Sequence, residues 1–481
     1  MTPTLLTENY EQTALDKIEL LDKELANHFL DKMIVNSDLS RTLVSFQGNK
    51  HESGYRWFKY KEGFSSTLVN YCFNKCGVRK NGEIIDPFAG SGATLFAARE
   101  RGQSSTGIEL LPIGCDIIKA RISALENPKE ISQIISTWIS EKPWKKRSIP
   151  RTKFEHIRIT KGAFPRDSEI MLERYLGALK TVKSNKAKSV LSLAVLSILE
   201  EISFTRKDGQ YLRWDHRSGR TYGKKKFNKG EIKRFDTSIT AKLHQILSDL
   251  TVKKTDLFSD REPKITPGKV KVMQGSCFEA LPKLKSDQFD ALMTSPPYCN
   301  RYDYTRTYAL ELALLGTNEE KIRHLRQQML SCTVENKDKN DLSKMFSDKV
   351  LEQSTSIFNS QKLLNAICEH LVELREKKLL NNPGIARMVK NYFWETVPTL
   401  IESHRVLKHN APFIMVNDNV RYAGIPISVD LILSKIAEDI GYEVEAIWIL
   451  PTGKGNSSQQ MGSHGREELR KCVYIWRVIK E

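Results

Sequence analysis

The chain has 481 residues, 40% of them hydrophobic and 28% charged, and a formal net charge of +17. This length and composition are typical of a globular protein with a large core and more than one domain. We see no apolar signal segment and no apolar run long enough to cross a membrane. The eight cysteines include no C-x-x-C pair, which argues against a zinc site. We therefore expect a cytoplasmic protein with reduced thiols, no metal site and no membrane partner.

The positive charge is concentrated in one segment. Residues 141–270 contain 31 Lys and Arg but 15 Asp and Glu, whereas the rest of the chain contains 44 and 43. A local excess of this kind is typical of a surface that binds a polyanion, and a solvated basic surface is the alternative. Within the segment, residues 205–234 interleave cations with aromatic rings, a pattern that suits phosphates and bases together. The candidate nucleic-acid contacts are Arg206, Lys207, Arg213, Trp214, Arg217, Arg220, Lys224, Lys225 and Lys226.

Along the chain, residues 9–35 carry apolar side chains at helical spacing, which predicts an amphipathic helix. The segment 55–65 is dense in aromatic and cationic residues, and it leads into a predicted helix over 66–76.

Residues 83–109 have the pattern of the first unit of a doubly wound α/β fold. A strand over 83–85 ends in Asp-Pro-Phe-Ala-Gly-Ser-Gly at 86–92, a helix follows over 95–101, and a second strand over 105–108 ends in Glu109. The glycines allow close approach of a ligand, and the acid lies where ribose hydroxyls bind. Because the loop lacks G-x-G-x-x-G and the Lys-Ser/Thr of a phosphate-binding loop, the pattern favours an adenosine ligand without a pyrophosphate. A tight turn without a cofactor is the alternative.

The region 126–268 interrupts the α/β pattern and contains one predicted apolar helix near 189–202. The pattern resumes with a strand over 269–273, and a further strand over 289–293 runs into Thr-Ser-Pro-Pro-Tyr at 294–298. Two prolines cannot continue a strand, so they leave a rigid loop with outward carbonyls. A hydroxyl before them and an aromatic ring after them suit a flat, polar ligand, and a structural turn is the alternative.

Residues 318–395 are predicted to be largely helical, with balanced charge. They leave three roles open: a lid, a dimer surface or a part of substrate recognition. The C-terminal part returns to α/β with a strand over 412–416, a helix over 428–440 and strands over 442–450 and 471–478. The polar loop 451–466 has a length that is usually functional or mobile.

The motifs at 86–92 and 294–298 together resemble those of S-adenosylmethionine-dependent DNA methyltransferases that modify exocyclic amino groups. The Thr-Ser-Pro-Pro-Tyr form resembles the N4-cytosine branch of bacterial restriction–modification systems, whereas the N6-adenine branch more often has Asp or Asn before the prolines. The resemblance covers residues 55–125, 269–316 and 396–480. The cofactor motif precedes a long insert and then the catalytic motif, an order in which the insert is the target-recognition domain.

The resemblance implies an α/β fold, with a Rossmann-like methyltransferase sheet, helices on both faces and an inserted basic target-recognition domain. It divides the chain into an N-terminal helical segment (1–54), a cofactor-binding part (55–125), the recognition insert (126–268), a catalytic part (269–316), a helical insert (317–395) and a C-terminal part of the methyltransferase domain (396–481). The implied cofactor is S-adenosylmethionine, and the implied partners are double-stranded DNA and a cognate restriction endonuclease. The implied cofactor-binding residues are Lys61, Phe64, Ser65, Asp86, Pro87, Phe88, Gly90, Gly92, Thr94, Glu109, Leu110, Ser276, Cys277 and Thr294.

The implied catalytic residues are Ser295, Pro296, Pro297 and Tyr298. The Ser295 hydroxyl and the Pro296 carbonyl would accept hydrogen bonds from the cytosine amino group, and Tyr298 would stack on the base, which must be flipped out of the duplex. The chain has no Pro-Cys dipeptide, which argues against methylation of cytosine C5 through a thiolate.

Two positions depart from the family pattern. Ala93 stands where a Thr is frequent, and Ser276 stands where an Asp often contacts adenine. The alternatives are an N6-adenine DNA methyltransferase, an RNA amino-methyltransferase and a catalytically silent nucleic-acid-binding subunit.

Overall fold

The computed structural model describes residues 3–208, 211–220, 226–251, 265–451, 454–455 and 468–480. Its helices are α1 (Pro3–His28), α2 (Ser66–Lys75), α3 (Ala93–Glu100), α4 (Pro112–Glu126), α5 (Pro128–Glu141), α6 (Arg166–Leu179), α7 (Asn185–Ile202), α8 (Phe235–Thr251), α9 (Cys277–Ala280), α10 (Tyr304–Thr307), α11 (Ala309–Leu314), α12 (Glu319–Gln328), α13 (Leu342–Met345), α14 (Asp348–Ser360), α15 (Lys362–Glu376), α16 (Gly384–Val406) and α17 (Val429–Ile440). Its strands are β1 (Met33–Val35), β2 (Glu83–Asp86), β3 (Ser104–Glu109), β4 (Thr205–Asp208), β5 (Tyr211–Trp214), β6 (Val270–Gln274), β7 (Ala291–Thr294), β8 (Pro412–Asp418), β9 (Val420–Tyr422), β10 (Ile425–Ile427), β11 (Tyr442–Ile449), β12 (Lys454–Gly455), β13 (Glu468–Leu469) and β14 (Lys471–Val478).

The centre of the protein is an eight-stranded sheet with the order β6-β3-β2-β7-β8-β14-β11-β1. The strands from β6 to β8 are parallel to their neighbours, and β14 is antiparallel to both β8 and β11. The chain runs outward from β2 to β3 and β6, and then returns to the other side of β2 to form β7. The point where the strand order reverses lies at the carboxyl ends of β2 and β7, where ligands of open α/β sheets bind. The predicted Rossmann-like α/β fold is confirmed.

The sequence of the central strands explains why both faces of the sheet are covered. Ile84 and Ile85 of β2 are fully buried on opposite faces, and so are Met293 and Leu292 of β7. The face with Ile85 packs in one core with α15, α16 and α17, and the face with Ile84 packs with α2 and α3. Continuous apolar runs of this kind are typical of parallel strands that are buried on both sides.

The predicted helix over 9–35 is wrong at its C-terminal end. The helix α1 ends at His28, and residues 33–35 form β1, which pairs in parallel with β11 at the edge of the sheet. Two of these three residues, Ile34 and Val35, are β-branched, which favours a strand over a helix.

The first insertion lies in the crossover from β3 to β6. It contains α5, α6, α7 and α8 and the hairpin β4–β5, so it is more helical than the single predicted helix near 189–202. These elements share a core around fully buried Trp144, Tyr175 and Phe235. The helix α5 had a sequence signal, since its buried residues 131, 135 and 138 recur at helical spacing.

The second insertion lies between β7 and β8 and is helical, as predicted. Its parts pack on two different cores. The helices α11 and α12 contribute Leu310, Leu312 and Ile322 to the core of the first insertion, whereas α14, α15 and α16 pack against the central sheet. Within the described ranges, no helix combines the length and the apolar character needed to cross a bilayer.

Candidate active site

The two predicted motifs meet below the carboxyl end of the sheet. The Thr294 hydroxyl donates a hydrogen bond of 2.6 Å to Asp86 Oδ1, and the Thr94 hydroxyl donates one of 3.1 Å to the Met293 carbonyl. The side chains of Asp86, Thr94 and Thr294 are almost fully buried. These three predicted cofactor residues therefore lie beneath the site, where they fasten the loop after β2 to the loop after β7.

The Asp86 carboxyl is buried away from water, which disfavours its charged form. Burial raises the pKa of Asp86 to about 6, although hydrogen bonds from the Thr294 hydroxyl and the Phe88 N–H act in the opposite direction. A carboxyl that is buried and fully hydrogen-bonded is a fixed anchor rather than a flexible ligand.

Above this anchor lies a pocket with about 750 Å³ of space between protein atoms, a volume that includes space open to solvent. Its walls are mainly apolar, with a few convergent polar groups. Eight predicted cofactor residues line it: Phe64, Pro87, Phe88, Gly90, Glu109, Leu110, Ser276 and Cys277. We call it the cofactor pocket.

Glu109 is the acidic residue that β3 brings to the cofactor pocket. Its carboxylate accepts hydrogen bonds of 2.6 Å from the Gly90 N–H and 2.7 Å from the Leu111 N–H. Burial nevertheless raises the pKa of Glu109 to about 8, and the nearby Asp86 charge adds to the effect. A carboxylate at the end of the second strand is the group that holds ribose hydroxyls in doubly wound folds.

The segment 60–64 forms one wall of the cofactor pocket. The Tyr60 ring stacks on Tyr308 at 5.1 Å between centroids, and the Lys61 N–H donates a 2.7 Å hydrogen bond to the Tyr308 hydroxyl. Gly90 has a φ of +52°, and a Cβ there would lie 3.1 Å from the Tyr60 ring. A glycine is thus required at this turn for two reasons, its conformation and the closeness of the tyrosine.

Three further predicted cofactor residues lie outside the lining of this pocket. Lys61 lines a neighbouring cleft, and Gly92 is the N-cap of α3, with a φ of +81°. The Ser65 hydroxyl accepts a hydrogen bond from the Leu68 N–H and donates one to the Leu43 carbonyl. Ser65 therefore caps α2 and supports the wall from behind.

The opposite wall comes from residues that sequence reasoning missed. Tyr304, Gln328, Met329 and Leu330 of the second insertion line the pocket, and the Ser276 hydroxyl donates a 2.9 Å hydrogen bond to the Gln328 carbonyl. No motif marks these positions, because they reach the site through the packing of α12 and the turn that follows it. The N-terminal part of residues 318–395 thus lines the cofactor pocket, which differs from the three roles left open for this segment.

The Thr-Ser-Pro-Pro-Tyr motif at 294–298 separates the cofactor pocket from a second cavity. Ser295 and Pro297 line the cofactor pocket, and Tyr298 lines the second cavity. The Ser295 hydroxyl donates a 3.0 Å hydrogen bond to the Tyr298 hydroxyl. Pro296 is buried between them and the sheet. Residues 294–298 therefore lie between the two cavities, with Ser295 on the side of the cofactor pocket and the Tyr298 ring on the side of the second cavity.

The second cavity is strongly basic. Its charged lining residues are Arg41, Lys50, Lys59, Lys61, Lys471 and Glu62. We call it the basic cleft. Tyr60, Glu62 and Gly63 line both the cleft and the cofactor pocket, so the two cavities share a thin wall. Glu62 has a φ of +60°, a conformation that is uncommon for a non-glycine residue and that concentrates at functional sites.

Lys471 of β14 lies over Tyr298 within this cleft. Its Nζ is 5.2 Å from the centroid of the Tyr298 ring and 2.8 Å from Asp418 Oδ1. Burial opposes the charge of Lys471, but the facing Tyr298 and Asp418 outweigh it and hold its pKa above the ordinary value. A cation fixed on a ring face in this way restricts the orientation of the ring.

Several cations in the basic run of the first insertion are paired with acids within the protein. Lys207 Nζ lies 2.5 Å from Glu311 Oε1, and both side chains are buried. Arg217 pairs with Asp215 at 2.7 Å. The expectation that Lys207 contacts a nucleic acid is corrected here, because a buried and paired ammonium cannot reach a phosphate.

The other candidate contacts differ in exposure. Arg213 pairs with Asp208 at 3.0 Å, and the Arg220 guanidinium lies over the ring of the buried Trp214 and donates to the Lys161 carbonyl at 2.5 Å. Arg206 and Lys226 are exposed. Lys224 and Lys225 lie outside the described residues. The described residues include no cluster of His, Cys, Asp and Glu that could hold a metal ion.

Comparisons with known proteins give full-length relatives. No protein-family model matches the chain. The type II methyltransferase M.AvaI of Nostoc sp. is 49% identical over 466 residues, which cover 96% of this chain and 94% of that protein. The type II methyltransferase M.BsoBI of Geobacillus stearothermophilus is 42% identical over 459 residues, which cover 91% and 88%. The type II methyltransferase M.MjaII of Methanocaldococcus jannaschii is 37% identical over 93 residues, which cover 19% and 17%.

Proposed function

The chain belongs to the type II methyltransferases, and we propose that it transfers a methyl group from S-adenosylmethionine to the exocyclic N4 of cytosine in double-stranded DNA. In this proposal it is the modification enzyme of a restriction–modification system and acts on the same site as a cognate restriction endonuclease. The observation that carries the proposal is the position of residues 294–298 between the cofactor pocket and the basic cleft. A reaction between a cofactor and a substrate needs a place where the reacting atoms of the two ligands come into contact.

The cofactor pocket fits S-adenosylmethionine by the chemistry of its lining. The Glu109 carboxylate would accept hydrogen bonds from the ribose hydroxyls, the apolar side chains of Phe88 and Leu110 would contact the adenine, and Gly90 lets the backbone come close. When bound, the cofactor supplies an electrophilic methyl group on a sulfonium. The buried anchor of Asp86 and Thr294 keeps the two loops at a fixed separation, which is what a direct transfer requires.

On the cleft side, the catalytic loop would hold the target base. The amino nitrogen of cytosine is a poor nucleophile, because its lone pair is delocalised into the ring. Hydrogen bonds from its N–H groups to the Ser295 hydroxyl and the Pro296 carbonyl would localise that lone pair toward the cofactor. Stacking on Tyr298, whose hydroxyl is bonded to Ser295 and whose ring is fixed by Lys471, would fix the plane of the base. The base has to leave the duplex to reach this position.

The preference for cytosine rests on Ser295. A carboxylate in its place would accept a strong charge-assisted hydrogen bond from an amino group, whereas a hydroxyl accepts a weaker one and can also donate, for instance to cytosine N3. The N6 of adenine, next to N1, offers a similar pair of groups, and the resemblance of residues 294–298 to the N4-cytosine branch favours cytosine.

The direct test is the identity of the methylated nucleoside. The purified protein is incubated with methyl-labelled S-adenosylmethionine and either DNA or RNA, and each nucleic acid is then digested to nucleosides for mass spectrometry. We expect the label in N4-methylcytosine. Label in N6-methyladenine alone would refute the choice of base, and label in RNA but not in DNA would refute the choice of nucleic acid. The absence of label in either would favour a silent subunit.

Matched variants test the roles of the loop residues. Ser295→Ala should lower kcat by about 10²-fold, a loss typical of one removed polar contact to the reacting group, with little change in cofactor affinity. Tyr298→Phe keeps the ring and should retain most of the activity, whereas Tyr298→Ala should lose it. Equal losses in the two tyrosine variants would contradict stacking as the role of Tyr298.

A further inference from the structure

The basic cleft holds cations that lack acidic partners. Among the described residues, Lys50, Lys59 and Lys61 form no ion pair, and the same is true of Arg206 in the hairpin β4–β5. The side chains of Lys50, Lys59 and Arg206 are exposed, and that of Lys61 is half-buried. In the first insertion, by comparison, Lys207, Arg213 and Arg217 are each paired with a carboxylate.

These cations lie close enough to repel one another. Burial lowers the pKa of Lys59, and the charges of Lys61, Lys50 and Arg206 lower it further, whereas Glu200 raises it. The chain therefore holds like charges together without neutralising them, which is unfavourable in the free protein. A polyanion bound in the cleft would reduce this repulsion. A cleft lined mainly by positive charges also concentrates the electrostatic field that attracts such a ligand.

The place of the cluster indicates which polyanion binds. The basic cleft contains the Tyr298 ring, and its far wall is shared with the cofactor pocket. A nucleotide whose base stacks on Tyr298 has its own phosphate and the neighbouring phosphates a few ångströms from the base. These phosphates must lie at the mouth of the same cavity, where Lys50 and Lys59 are exposed.

We propose that the basic cleft binds the phosphate backbone beside the flipped base, through Lys50, Lys59 and Lys61 of the N-terminal part. This inference rests on the proposed function for the identity of the ligand. It assigns the backbone contacts nearest the reaction to the segment that precedes the cofactor motif, whereas the sequence predicted them in the basic run of the first insertion.

The test compares two double variants that remove equal charge. Lys50→Ala/Lys59→Ala removes two cations from the cleft. Lys283→Ala/Lys285→Ala removes two exposed cations from the connection between β6 and β7, which enters β7 at the opposite, amino end of the sheet. The affinity of each protein for a short fluorescent DNA duplex is measured without cofactor as KCl is raised from about 50 to 200 mM. Because the four substituted side chains are exposed, all the proteins should fold, and equal melting temperatures would verify this.

We expect the cleft variant to flatten the plot of log affinity against log salt by about 2, since each phosphate contact contributes a slope of about 0.9. The control variant should keep the wild-type slope, and Lys50→Arg/Lys59→Arg should restore it. A wild-type slope in the cleft variant, or equal flattening in the control, would overturn the inference. Methyl transfer by the wild-type protein is measured separately. If the proposed function is wrong, DNA carries no label, but the difference in salt slope between the two variants remains. If only the present inference is wrong, DNA is labelled and the slopes of the two variants do not differ.

Discussion

The buried pair of Lys207 and Glu311 gives the sharpest test of how the first insertion uses its charges. Lys207 Nζ lies 2.5 Å from Glu311 Oε1, and the two side chains are 5% and 2% exposed. The ammonium also lies 4.5 Å from the centroid of the Tyr308 ring, which stacks on Tyr60 in the wall of the cofactor pocket. The pair thus connects the hairpin β4–β5 to α11 and to the site.

The substitution Lys207→Met keeps most of the volume and removes the charge. Removing one partner of a buried pair leaves the other charge uncompensated, so we expect a loss of about 3–5 kcal/mol in the free energy of unfolding. The double variant Lys207→Met/Glu311→Leu should recover most of this loss, because replacing both charges by apolar groups of similar volume is often neutral. The comparison uses urea denaturation at neutral pH, in a double-mutant cycle with Glu311→Leu.

The sign of the pH dependence follows from Glu311. Burial already raises its pKa, and Lys207 opposes that effect. Without Lys207 the pKa of Glu311 rises further, so the folded variant keeps a proton to higher pH. A carboxyl with a raised folded pKa loses stability as the pH increases from its unfolded pKa to its folded pKa. The deficit of Lys207→Met relative to the wild type should therefore shrink as the pH falls.

Two outcomes would refute this account of Lys207. One is a Lys207→Met protein as stable as the wild type. The other is a flattening of the salt dependence of DNA binding by about one phosphate contact, measured where the variant is folded. The second result would mean that Lys207 contacts the nucleic acid, as its sequence context predicted.

Two further predictions concern the cofactor pocket. The pKa of Glu109 is raised to about 8, so below this pH the carboxyl of the free protein holds a proton, which must leave when the ribose hydroxyls bind. The affinity for S-adenosylmethionine should therefore increase as the pH rises toward 8. The variant Glu109→Gln should bind the cofactor more weakly, and its affinity should not depend on pH in this range. Calorimetry in buffers of different ionisation enthalpy measures the released proton, and a constant affinity from pH 6 to about 8.5 in the wild type would contradict the assignment. Thr294→Val removes the 2.6 Å hydrogen bond to Asp86 Oδ1 and leaves that buried oxygen with the Phe88 N–H as its donor. We expect about 1–3 kcal/mol lower stability by urea denaturation, and wild-type stability would show that this bond does not fasten the two loops.

The central sheet was predictable because its strands carry strong local signals. The strand predicted over 105–108 is observed as Ser104–Glu109, and that over 442–450 as Tyr442–Ile449. The first follows Gly102 and ends at Glu109, and the second lies between Gly441 and Pro451, so their boundaries depend on a few neighbouring residues. The short edge strand β1 was missed because three residues after a long helix give almost no periodicity of their own.

The cofactor pocket was only partly predictable, because part of its lining has no local sequence signal. The residues of the loop after β2 carry a motif, and eight predicted residues do line the pocket. The far wall, with Gln328 and Leu330, is set by how α12 packs into the core of the first insertion. Contacts of this kind depend on side chains far apart in sequence, and neither composition nor spacing encodes them locally.

The distribution of charge shows most clearly where sequence reasoning loses information. A net charge over 130 residues counts cations and acids in the same window, but the partner of Lys207 lies 104 residues later, in the second insertion. The window 41–61 is small and holds Arg41, Lys50, Arg56, Lys59 and Lys61 against one acid, Glu52. Of these, Arg56 is paired with Asp249 of the first insertion, whereas the three lysines keep their charge beside Tyr298. What attracts a polyanion is the charge that remains unpaired after folding, and among the described residues part of that charge lies beside residues 294–298.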